Sequence, residues 1–156
     1  MKIDSKRIFK IWDFCSRLPF GTTLFSRALG FLVPYTGSVK PRVVELRPGF
    51  AEAELYDRRA IRNHLGSVHA VALMNVGELV TGLACLTSLP PGGRTILKSL
   101  KIDYHKKARG KLVARAETPL NSEVKKIDVV VTGRVYNSSG DLVSTVEAVW
   151  NVDLFK

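Results

Sequence analysis

The 156-residue sequence is poor in the residues that build several common kinds of site. Two cysteines, Cys15 and Cys85, with no Cys-x-x-Cys pair, exclude a disulfide framework and a zinc site of the usual spacing. Each lies among apolar neighbours and reads as a small buried hydrophobe, which points to a reducing compartment and to the cytoplasm. Histidine is also scarce: His64 and His69 stand five residues apart, off a common helix face, so no metal site is expected. No Walker loop and no glycine-rich dinucleotide fingerprint occurs, and there is no internal repeat or low-complexity segment. The uncharged runs 18–26 and 28–39 are separated by Arg27, and the second is interrupted by Pro34, so no targeting segment is read in them. Acid is in deficit, with 14 Asp and Glu against 24 Lys and Arg, a net +10. That surplus attracts polyanions, whether phosphate-bearing small molecules, anionic lipid or nucleic acid. Most aromatics fall in apolar patterns that read as core, so a nucleic-acid partner is not expected.

What is present is an ordinary core, with 46% hydrophobic residues, enough for one domain. Ile8, Ile11, Trp12, Cys15 and Leu18 recur at helical spacing, predicting an amphipathic helix over 3–18 that ends at Pro19 and Gly21. Residues 22–33 predict a second helix, capped by Thr22 or Thr23 and closed by Pro34. The period then changes to two, predicting strands over 36–47 and 50–56 around Pro48-Gly49. After a polar loop over 57–66, residues 65–89 hold one formal charge in 25 positions. That length could span a membrane. His69, Asn75, Glu78 and three glycines argue instead for a helix buried within protein, running to about Thr87. Past the turn at Pro90-Pro91-Gly92-Gly93, four strands are predicted over 94–106, 110–118, 125–137 and 142–154, in a meander. Ile96, Leu100, Ile102 and Tyr104 are the inward set of the first, and Leu154 ends that of the last. Only the long helix is apolar enough to cover such a sheet, and it is apolar almost all round. The expected architecture is α+β: a six-stranded antiparallel sheet wrapped around one long helix, with residues 1–35 as a helical extension and 36–156 as the domain proper. Open sheet edges and uncovered helix surface predict a dimer.

Glu78 is the one carboxylate in this helix. Burying it ionised and unpaired is costly, so it has partners or a raised pKa, and either suits a general base or nucleophile. Helical spacing places Val71, Asn75, Glu78 and Gly82 on one face, with Asn75 able to bond Glu78 and Gly82 leaving space one turn on. The helix start at Ser67–Ala70 offers free N–H groups and a positive dipole end, with Ser67 a candidate cap.

The segment Asn63-His64-Leu65-Gly66-Ser67-Val68-His69-Ala70-Val71, with Glu78 nine residues beyond His69, resembles the Asn-x-x-Gly-Thr-x-His-Gly-Gly…Asp/Glu signature of hotdog-fold acyl-CoA thioesterases of the phenylacetate-pathway and 4-hydroxybenzoyl-CoA types. Leu100-Lys101-Ile102-Asp103-Tyr104 and Gly110 look like that family's strand and turn. The N-terminal helices and the wording NHLGSVHAVALMN look most like a domain-of-unknown-function branch of the superfamily. The resemblance implies hydrolysis of an acyl-CoA thioester with no cofactor beyond the coenzyme A of the substrate. It implies Glu78 as base or nucleophile, the Ala70 N–H and Asn63 at the carbonyl oxygen, Asn75 steering Glu78, and His69 fixing the helix start or taking part. Val71, Gly82 and Ser67 would border the substrate. Arg59, Arg62, Lys106, Lys107 and Arg109 would meet the coenzyme A phosphates. A homodimer, and beyond it a tetramer, would share the acyl tunnel. Three departures stand out: His-Gly-Gly is His69-Ala70-Val71, the carboxylate is Glu, as in the 4-hydroxybenzoyl-CoA type, rather than Asp, and the relatives' strand Ser/Thr falls near Leu97, with Thr95 and Ser99 close by. The alternatives are a non-catalytic acyl-CoA or lipid binder, a hotdog dehydratase pairing His64 with Glu78, and peripheral membrane contact through residues 3–18.

Overall fold

The computed structural model describes residues 5–118 and 126–153. Positions 1–4, 119–125 and Leu154, which the predicted elements include, lie outside them. Three helices come first: α1 (Ser5–Ser16), α2 (Gly21–Leu32) and α3 (Pro34–Val39). Strands β1 (Arg42–Arg47) and β2 (Phe50–Tyr56) lead to the long helix α4 (Ala70–Thr87), followed by β3 (Arg94–Tyr104), β4 (Lys111–Glu117), β5 (Lys126–Asn137) and β6 (Leu142–Asp153). The strands form one six-stranded sheet in the order β1-β2-β4-β5-β6-β3, every neighbour antiparallel.

Several local expectations change. Residues 36–39, expected to begin a strand, are helical, because Pro34 opens α3 at a position where its missing N–H is harmless. Helix α2 begins after Phe20, in the left-handed conformation with no side-chain cap, so neither Thr22 nor Thr23 caps it. The last four strands are not a simple meander. Strand β3 leaves α4 on the far edge and pairs with β6, while β4 returns across the helix start to pair with β2. A register shift between Leu97 and Ser99 places a bulge at Lys98. That extra residue reverses the inward phase: Thr95 and Leu97 turn inward before it, Leu100 and Ile102 after it, and Ile96 is left exposed. Tyr104 is also half out, with its hydroxyl donating to the Ala70 carbonyl at 3.1 Å.

Helix α4 is the core. Val76, Val80, Ala84 and Cys85 are fully buried, and burial pushes the Cys85 thiol up to about 12. Gly77 sets how close helix and sheet come, since a Cβ there would lie 2.3 Å from Val146 Cγ2. The sheet covers one side of α4 and the N-terminal helices cover part of the other. Trp12 is turned inward, its ring edge-on to Phe25 at 5.1 Å. Coverage is incomplete, however: Glu78, Leu79, Gly82 and Leu86 remain half-buried.

Candidate active site

Seven of the sequence-predicted residues line two separate cavities. The first, about 560 Å³, opens along the half-buried side of α4. Glu78, Gly82, Arg94, Thr95 and Trp150 line it from the helix and sheet. Ile8, Leu29, Val33 and Thr36 close it from the N-terminal helices. Burial lifts the Glu78 carboxyl above its ordinary range, against a weaker opposing pull from the Asn75 amide. Asn75 is itself buried and donates to Thr36 Oγ1 at 3.1 Å, so α3 holds the residue whose amide acts on the Glu78 carboxyl. The space expected beyond Gly82 is taken by the Trp150 indole, whose ring atoms would lie 2.9 Å from a Cβ there. Trp150 Nε1 is buried in this wall with no protein partner among the described residues. Such a donor costs about 1–3 kcal/mol unless something satisfies it.

The second cavity, about 330 Å³, lies at the start of α4, where Asn63, Ser67, Ala70, Tyr104, Lys106 and Lys107 meet. His69, not Ser67, caps this helix: its Nδ1 accepts from the Val71 N–H at 3.1 Å. An imidazole can cap because its unprotonated nitrogen is an acceptor, like the usual cap oxygens. Ser67 is instead tied to Asn63, whose Oδ1 accepts from the Leu65 and Ser67 N–H groups at 3.0 and 3.2 Å. Asn63 thus builds the turn that delivers the chain to the cap. No hydrogen bond among the described residues uses the Ala70 N–H, the first of the helix.

The remaining candidates are spread out. Val71 is exposed near the helix start and borders neither cavity. Arg62 is committed to Asp57 at 2.6 Å, and Lys106 pairs with Asp141 at 2.8 Å. Arg109 reaches the Leu65 carbonyl at 3.5 Å, and Arg59 sits in a short 3-10 turn away from both cavities. His64 is exposed on the loop before the cap and shares no cavity with Glu78, so one chain does not assemble the dehydratase pair. Sequence reasoning missed Thr36, Arg94 and Trp150. Only the bulge brings Thr95 inward, and the early sequence pattern read Thr36 as strand.

Comparison with known proteins bears on the fold and the family. A structural-genomics crystal structure is 31% identical over 96% of this chain and 99% of its own, with a TM-score of 0.82. A Pseudomonas aeruginosa protein of unknown function, described as a probable thioesterase, is 20% identical over 87% of this chain and 96% of its own, at 0.73. A Haemophilus influenzae thioesterase is 15% identical over 84% and 92%, at 0.71. These two identities speak to the fold alone. No curated protein matched. The six-stranded antiparallel sheet around its central helix is the hotdog fold. The chain belongs to the DUF4442 family, a domain of unknown function whose model matches residues 21–152.

Proposed function

We propose that this protein hydrolyses an acyl-CoA thioester. The observation that carries the reading is Glu78: a half-buried carboxyl with a raised pKa in the wall of an otherwise largely apolar cavity. Such a group takes a proton from water near neutral pH far better than an exposed carboxylate does. The solved relatives named as thioesterases support the same chemistry. Ala70 and Glu78 are eight residues apart, about 12 Å along the helix. One thioester carbonyl cannot touch both, so the site requires two copies of the chain. One copy supplies Glu78 and the apolar cavity for the acyl chain. The other supplies the Ala70 N–H for the carbonyl oxygen, with Lys106 and Lys107 beside the coenzyme A phosphates.

Water then attacks the carbonyl carbon as Glu78 takes its proton. The carbonyl oxygen becomes an oxyanion held by the Ala70 N–H. The carbon–sulfur bond breaks, the thiolate leaves with the proton from Glu78, and the acid is released. Thiol release from short, medium, long and aromatic acyl-CoAs, run beside Glu78→Ala, tests this. Turnover that disappears in the variant supports hydrolysis and reports the acyl preference. Equal rates in both proteins remove Glu78 from the reaction. Binding without turnover of any of these substrates points to a non-catalytic acyl-CoA binder on the same fold.

A further inference from the structure

Helix α2 is apolar on two opposite faces. Phe25 and Leu29 turn inward and are buried. Leu24 and Phe31 lie seven residues apart on the outward face, and Phe20 continues that stripe at the cap. Phe20 is 88% exposed and Phe31 86%, the most exposed large hydrophobics among the described residues. Phe14, in the last turn of α1, is a further exposed aromatic. A helix that is apolar on its outer as well as its inner side is ordinarily covered there too, and contiguous exposed apolar surface marks a contact site.

The charge around the patch identifies the occupant. Residues 5–40 carry six Lys and Arg against one acid, Asp13, which gives +5, half of the +10 of the whole chain. Asp13 is itself paired with Arg17 at 2.8 Å, and Arg27 lies within the stripe between Leu24 and Phe31. Two copies related by a two-fold axis would set this cationic face against itself. An anionic bilayer complements it: aromatic and leucine side chains enter the boundary between headgroups and acyl chains, while Lys and Arg stay at phosphate depth.

We propose that the outward face of the α1–α2 hairpin docks onto an anionic lipid surface, laying α2 in the plane of the interface. Leu29 and Val33, from the other side of the same helix and its C-terminal cap, line the Glu78 cavity, so the docked helix lies between bilayer and cavity. The docking surface stands on exposure and charge, whatever reaction Glu78 performs.

The test is co-sedimentation of the full chain with vesicles of phosphatidylcholine alone and of phosphatidylcholine with phosphatidylglycerol. The wild type should bind the anionic vesicles at least tenfold better, and added salt should weaken binding. Phe20→Ser with Phe31→Ser alters two solvated side chains and should leave the thermal melt unchanged while lowering vesicle binding at least tenfold. As a second readout, Phe20→Trp should show a blue-shifted emission on anionic vesicles and quenching by brominated lipid. No binding to anionic vesicles, or equal binding by the double serine variant, overturns the proposal. So does a wild-type oligomer that the double variant dissociates in the absence of vesicle binding, which would assign the stripe to contact between copies.

Discussion

Thr36 and Asn75 are joined by a buried 3.1 Å hydrogen bond that ties the N-terminal helices to the helix carrying Glu78. The bond crosses from a segment outside the sheet to the centre of the fold. Thr36→Val keeps the shape and strands the Asn75 amide, so denaturant unfolding should show a loss of about 1–3 kcal/mol. The released amide should also alter its pull on Glu78. The acid limb of the kcat/KM profile should therefore move, whereas a merely structural bond would leave it in place.

Glu78→Gln should lower thiol release by about 10²–10⁴. It should also make the protein more stable at pH 7. Burial raises the folded-state pKa of this carboxyl above its unfolded value, so the folded state holds the proton more tightly. Stability is therefore lost as pH rises from the unfolded pKa through the folded one, and the loss persists above it. Gln carries no such penalty. The gain over wild type should vanish below the ordinary Glu range, and melts between pH 3 and pH 8 check the sign.

Ala70→Pro removes one N–H and little else. Ala70 is the first helical residue, where proline is tolerated, and His69 at ψ 141° already has the extended backbone favoured before proline. An unchanged melt with kcat lowered about 10²–10³ would identify this N–H as the oxyanion donor. An unchanged kcat would remove it from the mechanism.

His69→Ala should cost about 0.5–2 kcal/mol through loss of the cap. Residual thiol release well above that of Glu78→Gln would separate a capping role from a catalytic one.

The order of elements could be read in the sequence because burial leaves a period: 3.6 in the helices, two in the strands. Glu78 stood out because a lone carboxylate in an apolar helix is costly to bury unpaired, and the structure places it in a cavity wall. Thr36 could not be read, since its partner Asn75 is 39 positions away and no local pattern encodes such a meeting. The Lys98 bulge was equally hidden, because one inserted residue shifts the phase of a strand without changing its composition. The edge position of β3 depends on which strand pairs with β6, and alternation alone is silent about partners.

Gly77 and Glu78 are neighbours on one helix. The first lies against the methyl groups of Val146 with no side chain of its own. The second therefore projects from the helix about 100° around, in a direction set by where the bare backbone meets the sheet. A side chain at 77 would lift or roll the helix and swing the carboxyl away from Trp150 and Thr95. The aim of the acid is held by a missing atom one residue before it.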